Sequence, residues 1–188
     1  MFSVIFPGQG SQLVGMGKDL YNNHSLVKNL FKEADDVLEF SLSKLILEGP
    51  KEKLDLTENT QPAIFLLSYS IFKLVSEKFD IDLSKANFFA GHSLGEYSAL
   101  ASAGSLSFSD TIKILKIRGN AMQNSVPAGL GGMVAVLGSE INIIEKIIKK
   151  NKDKYECFIA NDNSEGQIVL SGKITDLEKV MIDLKSNN

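Results

Sequence analysis

Gly91-His92-Ser93-Leu94-Gly95 fits the pattern G-x-S-x-G, and the rest of the sequence is organised around it. A serine hydroxyl is a weak nucleophile and must be presented in the open, not packed inside an element. A sharp strand-to-helix turn presents it, and the close backbone approach of such a turn calls for glycine on both sides. The flanks agree: residues 87–90 read as a short strand and residues 97–103 as helix. That helix aims its positive N-terminus at Ser93, and the Leu94 amide can donate to a developing oxyanion. A strand, a glycine-flanked serine and a helix in this order point to an α/β core.

The general base is left open by the residues. The chain holds two histidines, His24 and His92. Neighbours on a tight turn point apart, so His92 is expected to pack or hydrogen-bond beneath the turn instead of taking the Ser93 proton. His24 lies on a polar edge, Asn22-Asn23-His24-Ser25. An α/β-hydrolase would supply its histidine after the serine, and none follows Ser93 here.

Upstream, residues 2–6 read as a short buried strand running into the tight loop Pro7-Gly8-Gln9-Gly10-Ser11-Gln12. Leu20, Val27, Leu30, Phe31, Ala34 and Leu38 recur near helical spacing and predict one helix over 17–39. A second, short helix follows over 41–47. Thr60 is the expected N-cap of a buried helix over 63–75, with Pro62 in its first turn. Ser109 or Asp110 is expected to cap another, running to about Asn124. Beyond the glycine-rich stretch 128–132 the texture becomes β-α-β-β-α: strands at 133–137, 155–160 and 167–170, helices at 141–149 and 175–184. A ferredoxin-like unit needs one more strand, expected to begin at Asn187-Asn188. The expected architecture is therefore a hydrolase-like α/β core with a parallel sheet (1–127) and a small ferredoxin-like α+β subdomain (128–188), incomplete by its last strand.

Composition excludes several classes. In 188 residues, 44% are apolar and 23% charged, enough to bury a core. A net charge of −3 gives no global pull toward nucleic acid or membrane. Cys157 is the single cysteine, in an apolar stretch, so it is read as a buried core thiol; neither an internal disulfide nor a zinc cluster is expected. The first basic residue is Lys18, so the start lacks the basic flank of a signal peptide, and no apolar run is long enough for a membrane span. A cytoplasmic compartment is the expectation.

Several segments together resemble the malonyl-CoA:acyl-carrier-protein transacylase family and the related acyltransferase domains of fatty-acid and polyketide synthases. They are Phe6-Pro7-Gly8-Gln9-Gly10-Ser11-Gln12, Thr60-Gln61-Pro62-Ala63, Gly91-His92-Ser93-Leu94-Gly95-Glu96-Tyr97, Arg118-Gly119, the run 132–138 and the run 161–172. Order and spacing match over the whole chain. The resemblance implies that Ser93 is acylated by malonyl-CoA and that the backbone N–H groups of Gln9 and Leu94 form the oxyanion hole. It implies that Arg118 grips the free malonyl carboxylate, a task for which a planar guanidinium suits better than an ammonium. Asn161 is implied at the mouth of a cleft. The acceptor would be the phosphopantetheine thiol of acyl carrier protein in fatty-acid biosynthesis, with no cofactor, no metal and a monomeric state expected.

The same resemblance places the general-base histidine on a segment following the last strand of the small subdomain, which this chain does not reach. The isolated chain is therefore expected to be weakly active. Two other readings stand beside the transferase: a serine esterase of α/β-hydrolase type, which leaves the Gln9 loop and Arg118 without a role, and a catalytically silent fragment retaining only CoA or carrier-protein binding.

Overall fold

The computed structural model describes residues 1–186 other than 80, 128 and 152. The chain forms two compact units, Met1–Ser125 and Val126–Asn188.

In the first unit, β1 (Ser3–Phe6) pairs in parallel with β2 (Phe88–Gly91), with Phe6 opposite Gly91. Parallel neighbours need a long crossover, and here it is helical: α1 (Lys18–Asn23), α2 (Ser25–Leu38), α3 (Leu42–Glu48), α4 (Lys51–Leu54) and α5 (Thr57–Lys78). After β2 come α6 (Leu94–Ser102) and α7 (Phe108–Gln123). Helix α5 is the central pillar. Its apolar residues lie all round it because α2, α6 and α7 surround it. Phe31, Leu42, Phe65, Leu94, Ile112 and Leu115 are fully buried about it.

The structure corrects four expectations in this unit. The helix expected over 17–39 is two helices, broken at His24, whose backbone is extended (φ −130°, ψ 117°). Asn23 contributes to the break: its amide donates to the Asp19 carbonyl and closes the first helix with a side chain. The apolar spacing runs through because Leu20, Leu30 and Phe31 all pack on the same core. Strand β1 is not buried throughout: Phe6 packs on Phe72 and Ala99, whereas Ile5, on the opposite face, is 77% exposed. Helix α5 begins at Thr57, so Thr60 is not its cap; the Thr60 hydroxyl donates to the Leu54 carbonyl at 2.6 Å, closing the end of α4. The cap of α7 is Ser107, whose hydroxyl accepts from the Asp110 N–H at 3.0 Å.

In the second unit, β3 (Gly131–Leu137), α8 (Ile141–Lys150), β4 (Cys157–Ser164), β5 (Gln167–Lys173) and α9 (Ile174–Ser186) follow in order. The strands lie in the order β3-β5-β4, with both neighbour pairs antiparallel. Val136, Ile144, Cys157, Ile168, Leu170 and Val180 form its core. Cys157 is buried as expected, and burial pushes its thiol pKa up, which keeps it inert. Asp176, nearly buried at the start of α9, accepts from the Glu156 N–H at 3.1 Å and from Lys179 at 3.0 Å. The further strand expected at 187–188 lies outside the described residues.

Candidate active site

Ser93 sits between the end of β2 and the start of α6 with φ 56° and ψ −112°. Such a backbone is rare for a residue with a side chain, and it turns the hydroxyl outward. The turn closes through Gly95 N–H to the His92 carbonyl at 2.9 Å and Glu96 N–H to the Ser93 carbonyl at 3.1 Å. Both flanking glycines are sterically required. A Cβ on Gly91 would stand 2.0 Å from the Gly95 carbonyl carbon, and one on Gly95 would stand 2.6 Å from the Phe6 carbonyl oxygen. Leu94 is fully buried and anchors the first turn of α6 in the core, so its N–H emerges at the helix N-terminus beside Ser93.

The pairing of Phe6 with Gly91 brings the loop Pro7–Gln12 alongside the serine turn. His92 stays on that loop's side. Its N–H donates to the Phe6 carbonyl at 3.3 Å, and a Cβ on Gly8 would meet its Nδ1 at 2.7 Å. The loop is tied down by its own polar groups: Gly10 N–H to Gln12 Oε1 (2.9 Å), Gln12 Nε2 to Asp55 Oδ1 (2.9 Å) and Gln9 Nε2 to Thr57 Oγ1 (3.2 Å).

Arg118 reaches the serine from α7. Its Nη2 donates to Ser93 Oγ at 3.1 Å and its Nη1 to Gln61 Oε1 at 2.6 Å, and the guanidinium lies 5.7 Å from the centre of the Tyr97 ring. Lys116, on the same helix, is engaged elsewhere, with Asn59 Oδ1 at 2.9 Å and Glu58 at 3.7 Å. Among the described residues no carboxylate lies within ion-pair distance of Arg118. A half-buried cation without a counter-ion, hydrogen-bonded to an exposed nucleophile, is poised for an anion beside the reacting atom. Helix α7 is held close to α5 at the next residue, where a Cβ on Gly119 would stand 2.6 Å from Glu58 Cα.

The first unit thus brings together Ser93, Leu94, the Gln9 loop and Arg118. Asn161 lies on β4 of the second unit, at an irregularity in its pairing with β5. His24 sits at the junction of α1 and α2. Gln61 was not read as a site residue from sequence: it closes the polar run Thr57-Glu58-Asn59-Thr60 at the start of α5, and nothing in its spacing marks it out. Among the described residues, no cluster of three or more His, Cys, Asp or Glu side chains could hold a metal, and no helix is long and apolar enough to cross a membrane.

The acyl transferase domain family model matches residues 3–188. The chain belongs to the acyl transferase domain family. Within it, the chain is 46% identical over 175 residues to a malonyl CoA-acyl carrier protein transacylase of Bacillus subtilis, covering 93% of this chain and 54% of that relative. The acyl-carrier-protein-S-malonyltransferase of Bartonella henselae superposes with a TM-score of 0.92 at 43% identity, over 100% of this chain and 60% of that one. A malonyl-transacylase in complex with its type II PKS acyl-carrier protein gives a TM-score of 0.89 at 37% identity, over 100% of this chain and 60% of that one. This acyl transferase domain therefore spans about half the length of the curated relatives it matches.

Proposed function

We propose that this chain is the serine-bearing portion of a malonyl-CoA:acyl-carrier-protein transacylase of fatty-acid biosynthesis. The observation that carries the reading is the 3.1 Å hydrogen bond from Arg118 Nη2 to Ser93 Oγ, made by a cation without a carboxylate partner among the described residues. A malonyl thioester bears a free carboxylate a short distance from its reacting carbonyl. A guanidinium beside the nucleophile fits that pairing, and a simple esterase has no use for it.

The chemistry is ping-pong. Ser93 Oγ attacks the thioester carbonyl, the N–H groups of Gln9 and Leu94 receive the developing oxyanion, and the C–S bond breaks to release CoA. The phosphopantetheine thiol of an acyl carrier protein then attacks the malonyl-serine ester and frees Ser93. The proton of Ser93 goes to a histidine that the family resemblance places beyond the small subdomain. No metal or redox cofactor enters these steps. For Asn161, on β4, the substrate-binding role is the one that the family resemblance implies. The strained serine turn on a parallel strand supports a hydrolase-like core for 1–127, and the split β3-α8-β4 with β5 between supports a ferredoxin-like fold for 128–188. The compartment is cytoplasmic.

Intact-protein mass spectrometry after incubation with malonyl-CoA tests the reading. A malonyl adduct confined to Ser93 supports it. Hydrolysis of p-nitrophenyl acetate without any adduct from malonyl-CoA would identify an esterase instead.

A further inference from the structure

We propose that Gln61 is a positioning residue that sets acyl selectivity at Ser93, by holding Arg118 with a neutral acceptor. The inference rests on the malonyl reading of the site. Gln61 is fully buried in α5, where an uncharged amide is costly unless it is hydrogen-bonded. Its Oε1 accepts from Arg118 Nη1 at 2.6 Å, and its Nε2 donates to Met122 Sδ at 3.3 Å. A guanidinium has donors and no acceptor, so only the amide oxygen can face it, and the amide orientation follows. The thioether is a weak acceptor, which leaves the arginine as the strong partner of the pair.

The geometry divides the guanidinium between two tasks. One terminal nitrogen is held by Gln61, and the other is turned to Ser93. Backbone contact between α5 and α7 at Glu58 and Gly119 fixes the base of the arginine beside the base of the glutamine. A glutamate at this position would hold the guanidinium equally well. It would also cancel its charge in a half-buried setting, and the incoming carboxylate would meet a neutral pair instead of a cation. The neutral amide therefore orients Arg118 while leaving its charge for the substrate. Nothing in a purely structural role for Gln61 would distinguish a charged acyl group from an uncharged one.

The test measures equilibrium binding of malonyl-CoA and acetyl-CoA by calorimetry, in the full chain carrying Ser93→Ala to prevent turnover. Three further substitutions are compared in that background: Gln61→Met, Gln61→Glu and Arg118→Ala. A malonyl preference of about tenfold or more is expected before substitution. Gln61→Met should reduce the preference several-fold. Gln61→Glu should reduce it at least as far, with acetyl-CoA affinity unchanged in both. Glutamate is isosteric, so Gln61→Glu carries the test if Gln61→Met melts early. If Arg118→Ala abolishes the preference while both Gln61 variants keep it, this inference is overturned and the malonyl reading stands. If the background chain shows no preference for malonyl-CoA, both fall.

Discussion

Arg118, on α7, and Ser93, at the turn between β2 and α6, are 25 positions apart, yet Nη2 of the arginine donates to Oγ of the serine at 3.1 Å. The contact places a fixed positive charge within one hydrogen bond of the nucleophile. Losing it removes charge-assisted bonds of about 1.5–3 kcal/mol from the carboxylate-bearing substrate. Arg118→Ala should lower kcat/KM for malonyl-CoA by roughly ten- to a hundredfold in a protein that carries the complete domain, with little change for acetyl-CoA. Arg118→Lys should recover only part, because an ammonium cannot make the planar fork. An equal loss for both substrates would mark Arg118 as structural.

Ser93→Ala should abolish covalent labelling. With malonyl-CoA in excess, the unsubstituted chain is expected to accumulate one malonyl ester, slowly, since the oxyanion donors retain part of the rate without the base. Peptide mapping that finds the adduct on another residue, or an undiminished adduct in Ser93→Ala, would remove the central assignment.

Gly119 is where α7 touches α5, and a Cβ there would meet Glu58 Cα at 2.6 Å and the Thr57 carbonyl oxygen at 2.7 Å. Both are backbone atoms that cannot rotate away. Gly119→Ala should therefore cost roughly 1–3 kcal/mol of stability, seen as a lower melting temperature, despite the better helix propensity of alanine. An alanine variant that melts like the parent would show that the two helices part freely.

Asp176 gives the second unit an acid-sensitive element. The Glu156 N–H, and after it the Lys179 ammonium, hold its carboxyl below the usual range. In the unfolded chain the group takes up its proton near the ordinary value of about 3.9, and in the folded chain only at lower pH. The stabilisation is therefore complete above about pH 5, well clear of the unfolded value, and is lost as the pH falls through the folded value. Asp176→Asn should lower the melting temperature at neutral pH, and the difference from the parent should shrink on acidification. A difference independent of pH would refute this.

The serine turn was legible because its requirements are local: two glycines, a strand before and a helix after. What the sequence hid was set by groups far apart in the chain. The true start of α5 is an example. The Thr57 N–H is satisfied by Gln123 Oε1 at 3.0 Å, so α7 caps α5 across the fold. A threonine and a proline three and five residues further on misled the reading. The break at His24 was hidden for the opposite reason, since the apolar spacing on either side of it serves one core. Gln61 escaped because burial, not spacing, makes it informative, and burial is a property of the assembled helices.

The backbone at Ser93 has a consequence for what evolution can write there. With φ at 56°, a β-branched residue would be a severe outlier, so threonine is no conservative replacement despite its hydroxyl. Glycine would fit without strain. Relief of about 1–3 kcal/mol at this turn would outweigh or match the roughly 0.5–1 kcal/mol that glycine's extra freedom costs. A Ser93→Gly chain should therefore melt no lower than the parent. Folding alone would not keep a serine in this position, so the residue that marks the site is one the fold would do equally well without.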